Sequence, residues 1–153
     1  MTTDLKPCRI ITYNDPRGRS LLDQCEAVVD AETQVKPFLD RAISECERNN
    51  GLAVAAPQIG IPFRWFVDQD SKVFINPEIT DKFDELEISE GCLSLPRKWY
   101  VCTRYKTINI KYQTLEMESK VDTLTGMDSY IFQHEVDHLD GVLISSHGKR
   151  LER

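Results

Sequence analysis

The amino-acid sequence predicts an α+β fold: mostly antiparallel sheets packed around a central helix, with an N-terminal amphipathic helix. Three observations carry this reading. Apolar residues recur at helical spacing between about residues 33 and 49, and residues 62 to about 122 break into short segments rich in β-branched and aromatic side chains. A second helical pattern follows from about Thr125 to Leu139. No repeat, low-complexity tract or Gly/Ser-rich linker divides the chain, so residues 1–153 are expected to form one domain.

Each element has a local reason. Residues 8–12, Cys-Arg-Ile-Ile-Thr, read as a short first strand closed by the turn-forming run Asn14 to Gly18. In the first helix Val35, Phe38, Leu39, Ala42, Ile43 and Cys46 fall on one face; Pro37 suits a first turn, and Asn49-Asn50-Gly51 supplies a stop. Phe63 to Val67, Val73 to Ile75, Trp99 to Thr103 and Thr107 to Tyr112 read as strands. Asn76-Pro77, Leu95-Pro96 and the acidic run Asp81 to Glu87 are expected to punctuate them. Asp140-Gly141 ends the second helix, and the final dozen residues read as short and polar.

Composition narrows the function classes. Hydrophobic residues make up 41% and charged residues 29% of the chain, ordinary values for a globular protein. No apolar run approaches the roughly 18 residues a membrane helix needs, and no signal segment opens the chain, so a cytoplasmic, non-secreted protein without membrane contact is expected. A formal net charge of −6 argues against direct nucleic-acid binding. Lys149, Arg150 and Arg153 form the one basic cluster and read as a solvated terminus. The five cysteines, Cys8, Cys25, Cys46, Cys92 and Cys102, are odd in number and lack C-x-x-C spacing, which suits a reducing compartment.

The chemistry concentrates in the second helix. His134 and His138, four residues apart in His134-Glu135-Val136-Asp137-His138, share a helix face, so both imidazoles can reach one divalent ion. Glu135 is placed to take a proton from a metal-activated water. A chance pair of solvated histidines is the bland alternative, which the intervening Glu disfavours. A third ligand is needed. The extended H-E-x-x-H-x-x-G-x-x-H form starts correctly with Gly141, but its last position is Ile144, and His147 comes three residues too late. Downstream of Asp140 the only acidic residue is Glu152. The ligand is therefore expected upstream, and Cys92 in Glu90-Gly91-Cys92-Leu93-Ser94 is the best candidate: alone it reads as a buried structural cysteine, but beside a two-His site lacking a third ligand the balance reverses. Gly51 to Gly60, with Ala55-Ala56-Pro57-Gln58, is either a packing loop or a close-approach segment whose Gln58 donates to a carbonyl oxygen.

These three segments, in this order, resemble the peptide deformylases, which carry G-x-G-x-A-A-P-Q, E-G-C-L-S and H-E-x-x-H-x-x-G. Glu90 to Ser94 and His134 to Gly141 match fully, and Gly51, Ala55, Ala56, Pro57 and Gln58 match the first motif. Ile11 to Pro16 and Ile75-Asn76-Pro77 also look like the family, so the resemblance spans about residues 8 to 145. It implies that Cys92, His134 and His138 bind one divalent metal, Fe2+ in the native protein, with Zn2+, Ni2+ or Co2+ as substitutes. Glu135 would serve as base and then acid. Gln58 and the backbone N–H of Leu93 would stabilise the oxyanion as an N-formylmethionyl peptide or nascent chain loses formate. Gly51, Leu52, Ala53, Ile88, Glu90, Gly91, Met127, Tyr130 and Ile131 would contact substrate, with Glu90 bracing the ligand loop and the peptide adding as a strand along Gly51–Ala53.

Two departures from the family pattern stand out. Ala53 occupies the position of the motif's second Gly and adds a methyl group beside the substrate path. The sequence also ends 12 residues after Gly141, so ribosome contact is expected to be weak or differently placed; a compact form of this kind resembles phage or organellar members, although bacterial ones remain in view. Two competing readings are another metal-dependent amidase or peptidase on the same ligands, and a metal-binding module without activity. Glu135 argues against the second, since a purely structural site has no use for a base.

Overall fold

The computed structural model describes residues 5–151. In chain order these form α1 (Ala31–Gln34), α2 (Lys36–Arg48), β1 (Ala53–Ala55), β2 (Trp65–Asp68), β3 (Val73–Cys92), β4 (Leu95–Gln113), β5 (Ser119–Thr125), α3 (Met127–Leu139), α4 (Ile144–His147) and β6 (Lys149–Arg150). Turns of 3-10 helix span Gly18–Leu22 and Ala56–Ile59. The strands pair antiparallel in the order β1-β2-β3-β4-β5, and β6 adds to β4 at Tyr100 and Val101.

Strand alternation explains how the sheet comes to lie between two helices. Val54, Trp65, Val67, Val73 and Ile75 point to one face and pack with Phe38, Ala42 and Cys46 of α2. Their neighbours Ala53, Ala55, Phe66 and Phe74 point to the other and pack with Phe132, Val136 and Leu139 of α3. A strand buried on both faces reads as an unbroken apolar run, which is why β2 is Trp-Phe-Val. Phe132 meets Phe66 and Phe74 edge-on at 5.4 and 5.5 Å, contacts worth about 0.5–1.5 kcal/mol each beyond area burial. This cluster seats α3 on the sheet.

Both ends of α3 rest on glycine. Gly126 precedes it at φ 64°. At the C-terminal end Val142 N–H donates to Asp137 O and Gly141 N–H to His138 O, a Schellman motif with Gly141 at φ 74°. A Cβ on Gly141 would also lie 2.5 Å from Leu22 O, so no other residue fits.

Several sequence-based expectations are corrected. Residues 8–12 are not a strand: Cys8 N–H and Ile11 N–H donate to Ile59 O and Gln58 O of a 3-10 turn, which offers no ladder to join. The acidic run Asp81 to Glu87 is not a break but part of β3, paired with β4 at every position except Asp84, which lies at φ 60°. Its side chains face solvent, so polarity there reports exposure rather than a turn. Trp99–Thr103 and Thr107–Tyr112 belong to one strand, β4. Asn76-Pro77 marks a bulge inside β3, where Asn76 at φ 48° exchanges hydrogen bonds with the backbone of Val28. Strands β1 and β5 lie outside the sequence expectation, and the predicted first helix is split at Val35 into α1 and α2.

Candidate metal centre and active-site cleft

Three elements converge on the turn of the β3–β4 hairpin. Helix α3 presents His134 and His138 from successive turns, with ring centroids 5.0 Å apart. Cys92 ends β3, and its Sγ lies 3.3 Å from His138 Nε2. Cys92 Sγ and one ring nitrogen from each histidine all lie within 4.8 Å of one another. One sulfur and two imidazole nitrogens form a donor set suited to borderline divalent transition ions.

His134 is oriented from behind. Its Nδ1 is 2.8 Å from Glu90 Oε1, which leaves Nε2 to face the cluster. Glu90 accepts from Arg104 Nε and Nη2 at 2.6 and 2.8 Å, and Arg104 Nη1 donates to Asp137 Oδ2 at 2.8 Å. Burial works against a charged Glu90, but Arg104 and His134 outweigh it and hold its pKa down to about 2. Burial also opposes the charge on Arg104, which Glu90 and Asp137 more than offset. For Cys92, burial pushes the thiol up, yet the imidazoles of His138 and His134 dominate and favour thiolate, the form that binds metal. His134 is driven the opposite way: Cys92 and Glu90 overcome burial and raise it well above the ordinary imidazole value.

Glu135 stands apart from this network. Its Oε1 is buried with no hydrogen-bond partner among the described residues, and burial raises its pKa against the pull of His134 and His138. Its Oε2 lies 4.0 Å from His134 Nε2. A buried carboxylate oxygen without a protein partner, directly beside a cluster of one thiolate and two imidazoles, fits a group that brings its own charge and its own water. The residues present therefore fit a metal site.

Gln58 approaches from the turn after β1. Ala55 N–H donates to Gln58 Oε1 at 2.9 Å, which orients the amide so that Nε2 donates to Ser94 Oγ at 3.1 Å and lies 3.9 Å from Cys92 Sγ. Its donor face is thus turned to the ligand cluster.

A cleft of about 580 Å³ opens over these groups. Gly51, Leu52 and Ala53 line it from the segment entering β1, and Ile88, Glu90 and Gly91 from the end of β3. Leu93 lies in the hairpin turn; Met127, Tyr130, Ile131, His134 and Glu135 contribute from α3. Every substrate-contact candidate from the sequence borders it, although both oxygens of Glu90 are engaged by Arg104 and His134. Ala53 is buried in the same apolar cluster as Phe66 and Phe132. His147 lies outside the ligand set, 3.6 Å from Asp137 Oδ2. Residues that sequence reasoning missed are Arg104, Asp137, the Ser94 hydroxyl and Trp99. Ser94 sat inside a recognised motif, whereas Arg104 carried no local signal at all.

Residues 7–153 match the family model described as polypeptide deformylase. The peptide deformylase of Thermotoga neapolitana is 35% identical over 149 residues, covering 95% of this chain and 89% of that protein. Peptide deformylase 1 of Clostridium perfringens is 37% identical over 144 residues, covering 91% and 97%. The crystal structure of peptide deformylase from Thermotoga maritima superposes with a TM-score of 0.84 at 34% identity, covering 94% of this chain and 98% of that one.

Proposed function

The chain belongs to the polypeptide deformylase family, and from that premise we propose how its own residues remove the formyl group from N-formylmethionyl peptides. The activity is metal-dependent amide hydrolysis: water is added across the formyl C–N bond, formate leaves and the amino terminus is freed. The observation that carries the assignment of roles is the cluster of Cys92, His134 and His138 beside the partnerless carboxylate of Glu135.

Cys92, His134 and His138 hold the metal, which when bound supplies the Lewis acidity that activates water near neutral pH and polarises a carbonyl. Glu135 accepts the proton that the attacking water gives up and returns it to the departing amine nitrogen. Burial raises its pKa above the ordinary carboxylate value, the direction that helps it hold the proton between these two steps. Gln58 Nε2 and the backbone N–H of Leu93 donate to the oxygen that becomes negative as the carbonyl is attacked, an effect commonly worth about 3–4 kcal/mol per donor. Glu90, fixed by Arg104, engages His134 Nδ1 and so leaves Nε2 as the ring nitrogen that would hold the metal.

The methionine side chain enters between Ile88, Tyr130 and Ile131, with Leu52 and Met127 exposed at the rim. The peptide backbone follows Gly51–Ala53 as an added strand. Ferrous iron is the native ion in this reading, with zinc, nickel and cobalt as substitutes. The substrate places the protein where formylated chains are made: a bacterial or phage-infected cytoplasm, or an organelle. Among the described residues no helix is long and apolar enough to cross a membrane.

The decisive experiment joins metal analysis of anaerobically purified protein with formate release from formyl-Met-Ala-Ser beside its acetylated counterpart. Stoichiometric iron and formate from the formyl peptide alone is the expected result. Equal cleavage of both peptides would replace the deformylase with a general amidase.

A further inference from the structure

The ladder between β3 and β4 slips at the mouth of the cleft. Gly91 pairs with Trp99, yet the next residue, Cys92, pairs with Leu95. Pro96, Arg97 and Lys98 therefore bulge out of β4 with nothing opposite them. Arg97 holds φ at 65°, uncommon for a residue with a long side chain. Bulges re-aim side chains and are frequent next to active sites. This one sets two cations into the cleft wall, Arg97 exposed and Lys98 half-buried, in the same cleft lining as Cys92. Trp99 closes the bulge, its indole carbons 3.4 Å from where a Cβ on Gly91 would stand.

Free charge on this wall has one sign. The acidic residues lining the cleft are Glu90 and Glu135; both are buried, and Glu90 is engaged by Arg104 and His134. Among the described residues Arg97 and Lys98 take part in no ion pair. Cations with no ion-pair partner among the described residues, at the entrance of a protein with net charge −6, attract an anionic ligand locally against the overall field.

We propose that the Pro96–Arg97–Lys98 bulge is a specificity element that recognises a side-chain carboxylate in the peptide just behind the formylmethionine. The inference rests on the deformylase reading, which fixes formylmethionine at the ligand cluster. Because the bulge abuts Gly91 and Cys92 in the ladder, the second and third residues of the peptide are those it meets. The preferred substrates carry Asp or Glu there, and Lys is disfavoured.

The test is formate release by the metal-loaded protein from C-terminal amides of formyl-Met-Ala-Ala and of its variants with Glu or Lys at the second or third position. The free acid of the neutral peptide separates a terminal carboxylate from a side-chain one. The expected result is a kcat/KM for Glu peptides about threefold to tenfold above that for Lys peptides at low salt, shrinking toward equality as salt rises. In Arg97→Glu/Lys98→Glu the ratio inverts, and a ratio is insensitive to the fraction of folded or metal-loaded protein. Equal turnover of Glu and Lys peptides overturns the proposal, as does an unchanged ratio in the charge-reversed protein or a gain confined to the free acid. No formate from any peptide, the neutral amide included, brings down the deformylase reading and this inference with it.

Discussion

Arg104 clasps Glu90 through two parallel hydrogen bonds of 2.6 and 2.8 Å, joining two strands behind a candidate metal ligand. Both side chains are buried, Arg104 at 4% and Glu90 at 9% exposure, so neither charge is screened by water. Arg104→Ala should therefore destabilise the protein by about 3–5 kcal/mol, since it strands a buried carboxylate. Arg104→Lys should recover only part of that, because an ammonium cannot reproduce the planar fork. Denaturant unfolding of the three proteins checks the order. A lysine variant as stable as the parent would show that the paired geometry is irrelevant.

Glu135→Gln keeps the size of the side chain and removes its ability to carry a proton. Metal content should stay at the parental level, because Cys92, His134 and His138 are untouched. Formate release should fall by roughly 10²–10⁴-fold, the usual contribution of a positioned acid–base group. Metal analysis and steady-state assay on the same preparation separate the two effects. Retained turnover would remove Glu135 from the mechanism proposed above.

What could be read in advance followed how local each signal was. His134 and His138 stand out through helical spacing together with the Glu135 between them, and Cys92 becomes a candidate through its flanking glycine once the downstream ligands fail. Arg104 acts on Glu90 across a hairpin, and only the register of β3 against β4 brings those residues together. The strand at Asp81–Glu87 was hidden because both its faces meet water, which erases the alternation that marks a half-buried strand. The reverse error arose at residues 8–12, whose apolar pattern serves packing against a 3-10 turn instead of a ladder. Ile11 there is buried to 1% exposure, so the sequence correctly signalled burial while misreporting the partner.

Two substitutions at Gln58 distinguish its chemistry from its packing. Gln58→Glu still offers an oxygen to Ala55 N–H but replaces the amide donor near Cys92 with an acceptor. It should lower kcat by about 10²–10³-fold, the cost of losing one oxyanion donor. Gln58→Ala should add a stability loss of about 1–3 kcal/mol, because Ala55 N–H is then buried without a partner. Kinetics and thermal unfolding measured together resolve the pair. Equal kcat for the parent and Gln58→Glu would assign Gln58 to packing alone.

Acid should unfold this protein through Glu90. Its folded pKa of about 2 lies below the ordinary 4.5, so the carboxylate's contribution is complete above about pH 4.5 and is lost as pH falls toward 2. A displacement of that size is worth roughly 3 kcal/mol, and burial of the pair argues against a large discount for solvent screening. Glu90→Gln removes the titrating group and should flatten stability between those limits, although the variant starts lower at neutral pH because Arg104 keeps only Asp137 as a counter-charge. Urea unfolding of both proteins in steps from pH 6 to about pH 2 reads the difference directly. Parallel profiles would mean that acid sensitivity arises elsewhere, and that the Arg104–Glu90 clasp is already balanced by the cost of burying it.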